Sequence, residues 1–262
     1  PDDEALDTAL AARAFLLGLL THYAADSVFH PLIYYCSGNL HDASAHFQVW
    51  RNHRALESAM DTAFARSVGR SWEDFSLARD IQLHPAEMRF LLSTIAAAQR
   101  DFFGTDIEDW DYIQGYQTLA RYRRLMQHRL FNLALDALET SVGDRIARFA
   151  RYFPRLAHIY SYLGLRYSPA RSRNLPDIRA RLFYRHPVSG ESLESSLEEL
   201  FEESVRRTLR IWDDIEIAIA NNAPDAPTEY GLSLETGLRG VPVSSMRFFA
   251  DAKGDIEFVN FC

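Results

Sequence analysis

Residues 16–35 read LLGLLTHYAADSVFHPLIYY. Within them His22, Asp26 and His30 recur every fourth residue. On a helix that spacing puts all three on one face, drifting about 40° per step. Phe15 and Leu19 continue the same stripe upstream, and Arg13 is the only charge between Thr8 and Thr21. A helix apolar on nearly every side is a buried one. The pattern therefore predicts a helix over about residues 5–29, inside a helical domain, with the polar trio buried or lining a cavity. A buried carboxylate and two imidazoles need strong partners, because unpaired burial is costly. A metal ion would be one.

The next helical pattern carries a complementary set. In Asn52–His53–Arg54–Ala55–Leu56–Glu57, His53 and Glu57 are again i and i+4, and Asp61 extends their face. Leu56, Met60 and Phe64 lie beside it as a core stripe. Two facing helices, one offering His/Asp/His and one His/Glu, form a metal site of the kind built inside helical bundles. Five N/O donors exceed the needs of one tetrahedral zinc, which suggests two ions, or one ion and a second that needs further ligands. His30, His53 and Glu57 alone make a His₂Glu set, and three protein ligands with one open position is the pattern of catalytic zinc. A lone H-x₃-D pair is usually structural. H-x₃-D-x₃-H followed by H-x₃-E is much rarer, and that spacing favours ligation.

Working outward, the rest of the chain reads as mostly helical. Helices are predicted over about 44–67, over 85–103 with Pro85 in the first turn and Gly104 ending it, over 109–141 and over 144–153. Another begins near Ser192 or Ser195, where Ser195 with Glu198 fits a capping box. Leu193, Leu197, Phe201, Val205, Leu209 and Trp212 then predict its apolar face, with Glu198, Glu199, Glu202 and Glu203 as a solvated acidic side. From Asn221 the texture changes to loop (Asn221, Asn222, Pro224, Pro227), and residues 255–261 alternate like a short strand. The simplest organisation is one all-α, multi-helix domain over 1–220 with an irregular extension, 221–262, packed on it.

Composition narrows the function. Of 262 residues, 47% are hydrophobic and 24% charged, which excludes disordered and low-complexity classes. Cys36 and Cys262 allow at most one bridge, so this is no disulfide scaffold. A net charge of −8 argues against general nucleic-acid binding. The basic residues are almost all arginine, Lys253 being the single lysine. Ala14–Leu20 is too short to span a bilayer. No signal peptide is visible, but a removed one would leave no trace, so the compartment stays open, with cytoplasmic slightly favoured over secreted. P-loop, Rossmann, nucleophile-elbow and CxxC patterns are absent. His41–Asp42 follows Ser37–Gly38–Asn39 and reads as a loop, not as the metal pair of helical phosphohydrolases. His46 lies about two turns before His53, where a supporting role suits it. Arg121, Arg123, Arg124 and Arg129 near His128 read as a solvated face, and the aromatic run His158–Tyr162 as core. His84 and His186 each precede proline in a turn and carry no assignment.

The block LLGLLTHYAADSVFHPLIYY followed by NHRALESAMD resembles the bacterial zinc-dependent phospholipase C family, in which one helix carries H-x₃-D and a further His and the next ligand helix carries H-x₃-E. YRHPVSGE (184–191) and GLSLETGL (231–238) also resemble its less characterised members. The resemblance implies that His22, Asp26, His30, His53 and Glu57 are zinc ligands, that Asp26 bridges two ions, and that two or three Zn²⁺ are held. It implies an all-α phosphoesterase using a metal-activated water on phospholipid or another phosphodiester, with transient contact at a membrane surface; the related single-strand nucleases use a similar ligand set. Two departures stand out. The third ligand follows the Asp by four residues, a shorter gap than in the family's secreted enzymes. The family's upstream ligands, an N-terminal amine, a His and an Asp, have no counterpart in the 21 residues before His22, which include no histidine. Those ligands are missing from this chain, replaced, or supplied from elsewhere; missing upstream sequence is the favoured expectation, and with it the family's general base, an upstream Asp, is left unassigned. A non-catalytic helical protein that keeps a metal site for stability or partner binding is the alternative.

Overall fold

The computed structural model describes residues 3–42, 46–71, 74, 85–104, 109–128, 130–135, 137, 177–221 and 231–250. They are mostly helical. Helices α1 (Asp3–Ser37), α2 (His46–Ser67), α3 (Pro85–Phe103), α4 (Asp109–Gln127) and α5 (Leu197–Ala220) are joined by one antiparallel hairpin, β1 (Leu182–Arg185) and β2 (Ser192–Ser195). Residues 130–135 are also helical. The expected all-α class holds, with the hairpin as an addition. The predicted helix over 144–153, the loop residues Asn222, Pro224 and Pro227, the strand over 255–261, the aromatic run His158–Tyr162, His84 and Cys262 lie outside the described residues. No described helix is long and apolar enough to cross a membrane.

The chain forms two compact units. One comprises residues 1–19 and 73–128, in which α3 and α4 pack together. The other comprises residues 20–72 and 129–262 and contains every residue of the predicted metal set. Its core is built by Leu32, Ile33 and Cys36 of α1, Leu56, Ala59 and Met60 of α2, Leu182 and Tyr184 of β1, and Leu197 and Leu200 of α5. Leu32 and Leu56 are fully buried. At about 1.5–3 kcal/mol for each large apolar side chain removed from water, this cluster is what sets α1 against α2.

Three local outcomes differ from the sequence expectations. First, α1 runs through Pro31 to Ser37 instead of ending near residue 29. Proline has no N–H to return to the carbonyl four residues back, here Ser27, so one ladder bond is lost. The apolar run Leu32–Tyr35 keeps the helix going by burial. Second, the capping box sits one residue later than predicted. Ser196 accepts from the Glu199 N–H at 3.1 Å, and the Glu199 carboxylate accepts from the Ser196 N–H at 3.0 Å. Ser195 is the last residue of β2, paired with Leu182, so it is held extended and the cap passes to its neighbour. Third, α5 buries Leu197, Leu200, Ser204, Thr208, Ile211 and Ile215, while Phe201, Val205 and Leu209 are exposed. Ser204 and Thr208 satisfy their hydroxyls on the carbonyls of Phe201 and Ser204. These small, internally bonded residues can therefore face the interior. Ser196→Ala should cost about 1 kcal/mol in denaturant unfolding, and Ser195→Ala clearly less. Equal costs would contradict the shifted cap.

Helix α2 ends at Gly69, φ 70°. The Gly69 N–H donates to Arg66 and the Arg70 N–H to Ala65, a Schellman ending that requires the left-handed residue glycine supplies. At its other end Gln48 donates to the Asn52 side-chain oxygen, and Asn52 donates to the Ser37 carbonyl. The first turns of α2 are thereby tied to the last turn of α1, which fixes His53 relative to His30.

Candidate metal centre

His30, on α1, and His53 and Glu57, on α2, converge. Their ligating atoms all lie within 4.8 Å of one another. Glu57 Oε1 is 3.2 Å from His53 Nε2 and 3.6 Å from His30 Nε2. The two imidazole centroids are 5.1 Å apart. Asp26 extends this triangle outward, with Oδ1 3.9 Å from His30 Nε2. His22 is further out still, bonded to Asp26 at 3.2 Å with its side chain 70% exposed. The five predicted residues thus form one string, but only three of them close into a cluster among the described residues. Asp61, which extends their face, is exposed.

The donor chemistry fits a metal. His30 Nδ1 lies 2.9 Å from the Leu234 carbonyl. A carbonyl only accepts, so Nδ1 carries a proton, and when the ring is neutral its Nε2 lone pair faces the cluster. That is the arrangement by which proteins orient a metal-binding histidine. His53 is 5% exposed, and its Nδ1 meets no hydrogen-bond partner among the described residues. Its ring is instead boxed by Tyr34 at 4.7 Å and Trp50 at 5.4 Å between centroids. Trp50 donates to His46 Nε2 at 3.1 Å, so the exposed His46 supports the site through an aromatic neighbour.

The charges are strongly interdependent. Burial alone would push the Glu57 carboxyl up, but hydrogen bonds from His30 and His53 outweigh it and hold the group at about 2. Burial likewise pushes His30 down, and the Glu57 hydrogen bond with the Asp26 and Glu57 charges more than reverses this, so His30 is raised. Asp26 is raised because its burial exceeds the pull of His30 and His22. Tyr34 is raised by burial and by the nearby carboxylates Glu235, Glu57 and Asp26. In the metal-free protein the cluster therefore holds an ionised Glu57 whose charge favours the proton on His30.

The other sequence candidates fall elsewhere. His41 donates to the Met246 carbonyl from an exposed turn, away from the triangle. Arg121 and Arg124 are exposed on α4. His186, which carried no assignment, pins the hairpin turn: its Nε2–H donates to the Thr236 carbonyl and its Nδ1 accepts from the Val188 N–H. The sequence reading singles out residues 231–238 only for their resemblance to family members; what it missed is that the segment 231–240 supplies the Leu234 carbonyl to His30. Its three glycines in GLSLETGLRG were the available signal.

Residues 4–103 match the family model described as zinc dependent phospholipase C, which bears out the family the ligand block resembles. All five residues of the string lie within the matched segment. No curated protein and no solved structure matches the chain.

Proposed function

We propose that this protein is a zinc-dependent phosphoric ester hydrolase acting on phospholipid or another phosphodiester. The observation that carries the reading is the His30–His53–Glu57 triangle, lying inside the segment that matches a zinc-dependent phospholipase C domain. His30 and His53 would hold the ion through Nε2 and Glu57 through its carboxylate. Asp26 is placed between this set and His22, where it would bridge to a second ion. When bound, zinc supplies Lewis-acid charge and a water acidic enough to ionise near neutral pH.

The chain's own residues do the rest. The Leu234 carbonyl keeps His30 in the tautomer that leaves Nε2 free. Glu57 stays ionised far below neutrality. Tyr34 and Trp50 shield the inner side of His53 from water. The exposed His22 marks the open side, where a headgroup or nucleotide ester would enter.

The test is zinc content per chain together with turnover of bis(4-nitrophenyl) phosphate and of phosphatidylcholine vesicles, each with and without chelator. Chelator-sensitive turnover supports the reading. Zinc retained without turnover of either substrate would favour the alternative of a non-catalytic metal-binding protein, a reading kept in view by the closing of only three donors among the described residues.

A further inference from the structure

The segment that fixes His30 lies some two hundred residues away from it in sequence and outside the matched 4–103 domain. Residues 231–240 form a compact loop. The Leu232↔Arg239 bridge closes it, the Gly237 N–H donates to Ser233, and the buried Thr236 hydroxyl donates to Val241 and accepts from Leu238. Three contacts seat this loop on one face of α1. The Tyr23 hydroxyl donates to the Leu232 carbonyl at 3.1 Å and accepts from the Leu232 N–H at 2.9 Å, so one side chain grips both polar groups of one residue. Gly237, at φ +67°, lies over the Ser27 carbonyl so closely that a β-carbon there would sit 2.5 Å from its oxygen and 3.4 Å from Pro31 Cγ. Ser27 is the residue whose carbonyl Pro31 leaves without a helical donor. The third contact is His30 on Leu234 itself. Tyr23, Ser27 and His30 are spaced about one turn apart, so the loop tracks the same helix as the string His22–Asp26–His30. From the far side His186 holds the Thr236 carbonyl and ties the loop to the hairpin.

We propose that residues 231–240 are a working part of the metal centre, a clasp that sets the orientation of His30, and that Tyr23 is its positioning residue. The inference rests on the metal reading above. Tyr23 reaches the His30 ring through Leu232 and Leu234, two residues apart in one tight loop. It fixes where the Leu234 carbonyl stands, and that carbonyl fixes which imidazole nitrogen faces the cluster. Loss of such an outer partner typically weakens a metal site about ten- to a hundredfold.

The test compares the wild-type protein with Tyr23→Phe, with Thr236→Val, and with Thr208→Val as a control that removes a buried hydroxyl bonded within its own helix, to the Ser204 carbonyl of α5. Zinc affinity is measured by chelator competition. The His30 tautomer is read by ¹⁵N–¹H correlation of the metal-free protein at a pH where the ring is neutral. The proposal expects Tyr23→Phe to bind zinc about tenfold or more weakly and to mix the two His30 tautomers, Thr236→Val to move the same way, and Thr208→Val to stay within about twofold of wild type. Wild-type affinity and tautomer in Tyr23→Phe, or, should that variant not fold, in Thr236→Val, overturns the proposal and leaves the metal reading standing. Equal losses in Tyr23→Phe and Thr208→Val overturn it too, since the effect would then be general stability. A wild type that binds no zinc removes the metal reading and this proposal together.

Discussion

His53→Ala should strip the triangle of zinc and lower phosphodiester turnover by roughly a thousandfold or more. Losing a partner that only orients a ligand costs about ten- to a hundredfold in metal affinity, so losing one of three ligands must cost more. Removing the Lewis acid forfeits several kcal/mol of transition-state stabilisation, and about 4 kcal/mol corresponds to about 10³ in rate. Because His53 is buried among Tyr34 and Trp50, the alanine variant will also be less stable. Glu57→Gln separates the two effects. It keeps the shape of the side chain and removes only the charge, so it should retain the helical circular dichroism while losing metal and turnover together. His22→Ala is the counterpoint. Its side chain is mostly exposed and touches the triangle only through Asp26, so it should leave one zinc in place and remove at most a second. Full turnover in metal-depleted Glu57→Gln would sink the hydrolase reading.

How much of this was legible in advance follows from the range of the interactions involved. His22, Asp26, His30, His53 and Glu57 were readable because an α-helix converts an i,i+4 spacing into a shared face by local geometry alone. The core stripe of Leu56 and Met60 was readable for the same reason, and both are buried. The start of α5 was not, because a two-stranded pairing decides it: Leu182 holds Ser195 in β2, and the cap moves to Ser196. The face of α5 was misjudged because apolarity alone favours Phe201, Val205 and Leu209, whereas Ser204 and Thr208 bury easily once their hydroxyls bond back along the helix. Arg207 then reaches the Ser27 hydroxyl at 2.8 Å, a contact across 180 residues that no window of sequence reports. The loop at 231–240 is the extreme case. Its sequence resembled the family, but that one of its carbonyls would select the tautomer of His30 depends wholly on tertiary packing.

Zinc should stabilise the protein more as the pH rises from 6 to 8, and the sign follows from His30. In the metal-free protein the folded-state pKa of His30 is raised, because Glu57 and Asp26 attract its proton more than burial repels it. A raised group contributes stability that is fully present below its unfolded value, about 6.5, and is lost as pH rises through the folded value. The metal-free protein therefore begins to lose the His30 contribution as the pH rises above about 6.5. The metal needs the opposite state. Zinc takes the Nε2 lone pair, so binding below the folded pKa must first expel a proton, and that competition disappears as the pH rises. Glu57, held at about 2, stays ionised throughout and does not confuse the trend. With free zinc at a hundred times its Kd, the stabilisation is about 2.7 kcal/mol, or roughly 5–10 °C in Tm for a chain of this size. Melting curves with zinc and with EDTA, taken at pH 6, 7 and 8, should give an increment that widens with pH. In Glu57→Gln the increment should shrink at every pH, because the variant removes both a ligand and the charge that raises His30. A zinc increment independent of pH, or one that narrows, would mean that the ion binds without displacing the His30 proton, and His30 would then have to leave the proposed ligand set.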